Sequence, residues 1–321
     1  MPTLSQQGAT ALLTSESELN IEDISWINWA IDSNPSQRRN WENIKLWLVE
    51  RKKTQTHAML GRLGRVTRGE LNISKLPAKC FDDLLCEQLN TVVEVVEKIP
   101  RDQLRDAVVQ AEPYVRAYIG AADTAAGLTP VRALPDSSLL KKVHSRKFRQ
   151  ALIGRLMFRN VPVSKSAQGI VQAFLTAKLR KISFEDVLFL KADFLKPTWP
   201  PRSQAKEESW NAWYLVQHAD HIPDFQFEML RQMEALVQRD EMFPDLYAAL
   251  YDRVRLNVGL PQRFGTQFDC VGEKRVPAPL EQPDKVDAYR KGLGLSTMAE
   301  LEAHGTFFID CSAQASVPRP Q

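Results

Sequence analysis

Apolar residues recur along this chain at the spacing of helix faces, and strand-like alternation is scarce. Asn34-Pro35 supplies a helix cap and a first-turn proline, and Trp41, Ile44 and Leu48 follow at helical intervals with Trp47 beside them. A shorter helix is predicted before it, around Ile24, Ile27 and Ile31. One further pattern runs through Phe81, Leu84, Leu85, Leu89, Val92, Val93 and Val96 and is stopped by Pro100. The next runs through Leu104, Val108, Val109 and Tyr114, with Pro113 predicting a kink or break. A helix through Leu152, Leu156 and Phe158 follows, then one over about 207–219. Pro223-Asp224 opens another, with a stripe of Phe225, Met229, Met233, Leu236 and Val237. Pro244-Asp245 opens the next, carrying Leu246, Leu250 and Val254. A short helix over 284–291 stops at Gly292 and Gly294, and Thr297-x-x-Glu300 is a capping box. The strand candidates are 268–271 and 274–276, a hairpin around Gly272. The pattern predicts a mainly α protein with two helical domains and one small β-hairpin in the second.

Gly120, Gly127, Pro130 and Pro135 lie among small residues and mark 120–138 as a linker. The expected organisation is a flexible tail over 1–20 and a helical domain over 21–119. After the linker come a second helical domain over 139–311 and a frayed tail over 312–321. A length of 321 residues suits two domains, and 44% hydrophobic content is enough to fill their cores.

Charge narrows the class only a little. Lys plus Arg is 42 against 39 for Asp plus Glu, and a net charge of +3 does not by itself imply nucleic acid. Basic residues do cluster from Arg38 and Arg39 through Lys45, Arg51, Lys52 and Lys53 to Arg62, Arg65 and Arg68, interleaved with Trp. Glu42 and Glu50 dilute that patch, so a solvated helix face is preferred over a nucleic-acid surface. Trp26, Trp29, Trp41 and Trp47 are expected to form an aromatic core between two helices. With no polar constellation in view, the N-terminal half is expected to be an interaction or targeting module, its Trp-rich helices meeting a protein partner.

No apolar run reaches the roughly 18 residues of a membrane span. The first 20 residues are polar and lack a basic-then-apolar signal, so a cytoplasmic location is expected, with export through a disordered N-terminus left open. Cys80, Cys86, Cys270 and Cys311 form no C-x-x-C pair and are expected to be reduced, buried thiols.

The informative stretch is 199–295. The predicted helix over 207–219 carries Trp210, Trp213, Tyr214, Leu215 and Val216 on every side, which marks a buried helix, yet it ends in Gln217-His218-Ala219-Asp220. Gln217 and His218 follow Trp213 and Tyr214 by four residues and share their side of the helix. A helix C-terminus favours a protonated imidazole. Gln226 lies beside the next helix's stripe, and Asp252-Arg253 sits near the end of the one after. Gln262-Arg-Phe-Gly-Thr-Gln267 then forms a loop whose amides suit a ligand's polar edge or a tie between helices.

These blocks carry a resemblance. Trp199-Pro-Pro-Arg-Ser, Trp213-Tyr-Leu-Val-Gln-His-Ala-Asp, Phe225-Gln226, Asp252-Arg253, Gln262-Arg-Phe-Gly-Thr-Gln267 and Val286-Asp287-x-x-Arg290-x-x-Leu293-Gly-Leu295 resemble a bacterial family known as domain of unknown function 6624, over about 183–303. The resemblance identifies a domain and implies no activity. Thr198 stands where the family has Gly before its Trp-Pro, and a Val-Gly after the Arg-Ser is missing. Phe264 replaces the family's usual Tyr, so a hydroxyl is lost.

Two readings of the constellation carry equal weight. In the first, His218 is the proton carrier of an enzyme acting on a small polar molecule or peptide. Asp252 or Asp220 orients it, and Arg253 holds an anionic group. Gln217, Gln226, Gln262, Thr266 and Gln267 then line the site. In the second, a non-catalytic binding or scaffold protein uses the same residues as a structural hydrogen-bond network. His218, Asp220 and His221 are metal-ligand types, but the chain leaves the helix over 219–223 and no metal is assigned. No Gly-x-Ser-x-Gly elbow is present, and Thr266 and Cys270 show no recognisable adjacent base. Gly292-Leu-Gly294-Leu reads as a helix stop, not a phosphate cradle, so no cofactor is assigned.

Overall fold

The computed structural model describes residues 21–69, 73–127, 138–157, 159–194, 199–272 and 274–303. The expected tails over 1–20 and 312–321 lie outside them, as does the middle of the expected linker, 128–137.

The architecture is mainly helical. A 3-10 helix over Ile24–Ala30 is capped by Asp23, whose side chain accepts from the Ser25 amide. Helix α1 spans Pro35–Thr67, capped by Asn34 with Pro35 in its first turn. Its 33 residues give a length of about 50 Å. Helix α2 covers Leu84–Val96 and α3 covers Arg101–Gly127. Pro113 does not end α3, because both it and Val109, whose carbonyl it leaves without a helical donor, face solvent. Helix α4 spans Ser138–Met157 and α5 spans Lys165–Phe189, extended by a π turn over Leu190–Phe194. Next come α6, Arg202–Gln217, α7, Pro223–Val237, and α8, Pro244–Asn257. The hairpin forms as expected, with β1 over Phe268–Val271 pairing antiparallel to β2 over Lys274–Pro277. Gly272 turns it at a positive φ of 60°. Short helices α9, Val286–Gly292, and α10, Met298–Ala303, are the last described elements, with the Thr297–Glu300 capping box made.

Among the described residues two large apolar cores form, with a small third cluster of Ala122, Ile153 and Ile182 beside them. The first packs Ile24, Ile27 and Trp26 against Trp41 and Ile44 of α1, Leu89 and Val92 of α2, Leu104 and Val108 of α3, and Ile170 and Phe174 of α5. Trp26 and Trp41 meet there with ring centres 5.8 Å apart, so these indoles fill a core. The second takes Met59 and Leu63 from the far end of α1 and Val187 from the far end of α5. Around them it gathers Trp199, Leu215, Met233, Leu250 and Phe264. Helices α1 and α5 therefore run through both cores. Residues 120–127 belong to α3 and 138 begins α4, and the packing does not divide where composition suggested a linker.

The basic residues of α1 mostly pair: Lys45 with Glu97, Arg51 with Asp83, Lys53 with Glu50, and Arg62 with both Asp82 and Asp224. Asp186, fully buried on α5, accepts from Arg146, Arg149 and Gln150 and ties α4 to α5.

The cysteines correct an expectation. Cys80 and Cys86 form a disulfide between Cα atoms 5.3 Å apart. The chain reverses between them at Asp82, whose φ is +55°. Sequence spacing hides this, since it is the turn entering α2 that brings the two together. Cys270 is disulfide-bonded too.

Candidate functional site

The apolar helix α6 ends where its polar residues begin. His218 is its C-cap residue, and its Nδ1 lies 2.9 Å from the Tyr214 carbonyl one turn earlier. A carbonyl can only accept, so Nδ1 carries the hydrogen and the neutral ring keeps its lone pair on Nε2. The Tyr214 ring packs edge-on at 4.3 Å between centroids and fixes the imidazole's plane. Burial and the neighbouring Arg253 guanidinium lower the His218 pKa to about 4. The protonated imidazole expected at a helix C-terminus is therefore not the neutral-pH form; desolvation and a nearby cation outweigh the helix dipole.

Asp220 stands two residues on and receives a bidentate pair from Arg253 of α8, Nε at 2.8 Å and NH2 at 2.6 Å. Burial opposes its ionisation, but Arg253 outweighs it and holds the carboxyl well below the ordinary range. The Asp220 backbone carbonyl accepts from the Asn257 side chain. Arg180 of α5 places NH1 3.9 Å from Asp220 Oδ2 and Nε 3.7 Å from Glu87 Oε2 of α2. Lys79 donates to Asn257 Oδ1 at 2.8 Å. Burial pushes the Glu87 carboxyl up and the Lys79 ammonium down.

The result is a charged cluster where the first and second cores meet. The Asp220, Arg253 and Arg180 side chains stay 21%, 31% and 32% exposed, so solvent reaches them. Three cations face two carboxylates. Lys79 and Glu87 come from the half of the chain in which the sequence showed no polar constellation.

The remaining candidates lie elsewhere. Asp252 is fully buried and is spent on the 262–267 loop. Its Oδ1 accepts from the Arg263 and Phe264 amides at 2.8 and 3.0 Å, and its Oδ2 from the Thr266 amide and hydroxyl, both at 2.9 Å. Burial pushes its carboxyl up against the pull of these donors. Gln262, also fully buried, donates to the Gln267 and Ala278 carbonyls and accepts from the Gln267 amide. Gln267 reaches the Ala249 carbonyl, and Arg290 donates to the Phe264 carbonyl. The Phe264 ring packs against Tyr251 at 5.3 Å. This second network holds the loop, the hairpin and α9 to α8.

Gln226 is fully buried and donates to the Val216 carbonyl, pinning α7 under the end of α6. Gln217 is 7% exposed and its Oε1 has no partner. His221, 2% exposed, stacks on Phe184 at 3.7 Å with neither ring nitrogen partnered. Burial first, then Arg180, lower its pKa to about 3. The structure thus brings together His218, Asp220 and Arg253 and, separately, Asp252, Gln262, Thr266 and Gln267. Sequence reasoning missed Lys79, Glu87 and Arg180; the signal was a charged residue set in an otherwise apolar helix, as Glu87 is between Cys86 and Leu89.

Fold and site define a mainly helical protein with a charged cluster between its two large cores. Residues 173–304 match the model of a family of unknown function (DUF6624). The match begins within α5, so Arg180, His218, Asp220 and Arg253 lie inside it, and Lys79 and Glu87 outside. No curated protein and no solved structure matches the chain.

Proposed function

We propose that the chain is an enzyme performing acid–base chemistry, hydrolase- or transferase-like, on a small polar molecule or peptide held at this charged cluster. The observation that carries the reading is the anchoring of His218 Nδ1 on the Tyr214 carbonyl, which leaves Nε2 as an oriented acceptor. At neutral pH the ring is uncharged, so Nε2 is ready to take a proton from a hydroxyl or water. Asp220 favours the imidazolium that forms and Arg253 opposes it, so the ring releases its proton readily.

The scaffold reading has its own support in Asp252, Gln262 and Gln267, whose side chains are committed to holding the 262–267 loop. We assign those residues to structure and the His218–Asp220–Arg253 group to chemistry. The disulfides favour an oxidising compartment over the cytoplasm.

The test is untargeted metabolite profiling with the full chain and His218→Ala, beside thermal melts. A half-buried side-chain bond to a backbone carbonyl contributes about 0.5–1.5 kcal/mol, so the variant should melt only slightly lower. It should lose every substrate consumption seen with wild type. Consumption that continues unchanged in folded His218→Ala defeats the enzymatic reading.

A further inference from the structure

Within the charged cluster, the polar atoms differ in how far they are committed. Asp220 has both oxygens on Arg253 and its carbonyl on Asn257. Arg253 spends Nε and NH2 on that pair. Lys79 is directed at Asn257. Arg180 is the exception. Its guanidinium carries five N–H donors, and its contacts are two long ion pairs, 3.7 Å to Glu87 and 3.9 Å to Asp220. Its Nε is closed to solvent without a hydrogen-bond partner. That Nε is out of a ligand's reach, but the side chain is 32% exposed and its NH1 lies 3.9 Å from the nearer carboxylate oxygen, beyond hydrogen-bond distance, so its outer edge can take a further acceptor. Arg180 NH1 and Arg253 NH2 lie 3.9 and 2.6 Å from the same oxygen, Asp220 Oδ2, so the two guanidinium groups are neighbours across that carboxylate.

We propose that the cluster takes an oxyanion, the carboxylate or phosphate group of its ligand, with Arg180 as the anchoring residue and Arg253 at its side. This rests on the reading of the cluster as the ligand site and names the chemical class it accepts. Guanidinium is suited to the task because its planar fork matches carboxylate and phosphate oxygens. Charge agrees: burial disfavours the ionised forms of Glu87 and Lys79 alike, and the two guanidinium groups of Arg180 and Arg253 then face the single carboxylate of Asp220. The anion would also act on His218. Arg253 and Arg180 both hold that imidazole's proton affinity down, so a bound negative charge lifts it back toward neutrality and strengthens the base when substrate is present.

The experiment uses the full chain. Inorganic phosphate and, separately, citrate are titrated by calorimetry against chloride at matched ionic strength, and the imidazole C–H resonance of His218 is followed against pH. The variants are Arg180→Met, Arg180→Lys and His218→Ala. Wild type should bind at least one oxyanion, and which arm succeeds separates phosphate from carboxylate. Arg180→Met should weaken binding about tenfold or more, with Arg180→Lys intermediate. The His218 titration should move to higher pH when the anion is bound. A thermal melt of Arg180→Met reports whether it folds, and Arg180→Lys keeps the positive charge beside Glu87 as the second variant. Equal affinity in wild type and Arg180→Met overturns the proposal, as does an absence of binding above chloride in both arms. Arg180-dependent binding retained in His218→Ala, with unchanged metabolite consumption, supports the anion site and defeats only the acid–base reading.

Discussion

Asp252 offers the sharpest test of the division between structure and chemistry, because by residue type it passes for a catalytic acid. Four donors converge on its two oxygens: the amides of Arg263, Phe264 and Thr266 and the Thr266 hydroxyl. In Asp252→Asn one oxygen becomes an amide NH2. If the remaining oxygen keeps the Arg263 and Phe264 amides, the new NH2 faces the Thr266 N–H, donor against donor. The Thr266 hydroxyl can rotate to accept, so one backbone donor is orphaned, at a cost of about 1–3 kcal/mol. The bonds that survive lose their charge assistance, roughly another 1–2 kcal/mol between them. Relief from burying a charge offsets part of this. A net loss of about 2–4 kcal/mol follows, and a melting temperature lower by about 3–6 °C. Amide hydrogen exchange locates the damage, since protection should fall at Arg263, Phe264 and Thr266 before α6 is affected. Oxyanion binding at Arg180 should persist in the folded fraction. An Asn variant that melts with wild type and keeps those amides protected, while losing turnover, would refute the structural assignment and return Asp252 to the active site.

Two further outcomes follow from buried groups. His218 and His221 have folded pKa values of about 4 and about 3 against an ordinary 6.5, so the unfolded chain binds protons that the folded chain refuses. Stability is complete above pH 6.5 and is lost progressively as pH falls from 6.5 toward 4 and then 3. Melts across that range should show the decline, and His221→Phe should flatten it and melt no lower than wild type at pH 7; a steeper decline in the variant contradicts the argument. The Cys80–Cys86 bridge closes a short loop, so its removal as Cys80→Ser with Cys86→Ser should cost about 2 kcal/mol by chain entropy. Thiol labelling of the native full chain checks it, and free thiols at both positions in non-reducing buffer would contradict the bridge.

Helix boundaries were legible wherever chemistry marks an end. Asn34-Pro35, Pro223-Asp224, Pro244-Asp245 and the Thr297–Glu300 box all open helices where expected, because caps and first-turn prolines act within a few residues. Helix α5 was not singled out, since it is apolar on several sides and gives no stripe. One end packs Ile170 and Phe174 into the first core and the other packs Val187 into the second. Helices α1 and α5 also contribute to both cores, which composition at 120–138 does not reveal. Gly and Pro report where the chain turns, whereas the partition of a core depends on which helices are long enough to be shared.

The site was half legible for a related reason. Gln-His-Asp at the end of a buried helix is a local anomaly, and two of its members, His218 and Asp220, lie beside Arg253. Asp252 and Arg253 were then grouped with it as neighbours in sequence. Successive helix residues point about 100° apart, so one side chain turns to the 262–267 loop and the other to Asp220. Adjacency on a helix is evidence for two surroundings, not one. Lys79, Glu87 and Arg180 come from a loop, α2 and α5, and only tertiary packing brings them to Asp220. The charged residues come from both cores, joined through α1 and α5, so any change in how the cores meet alters the spacing of Arg180 and Arg253. An anion bridging the two guanidinium groups would hold the cores in register, and the cluster would be tightest when occupied.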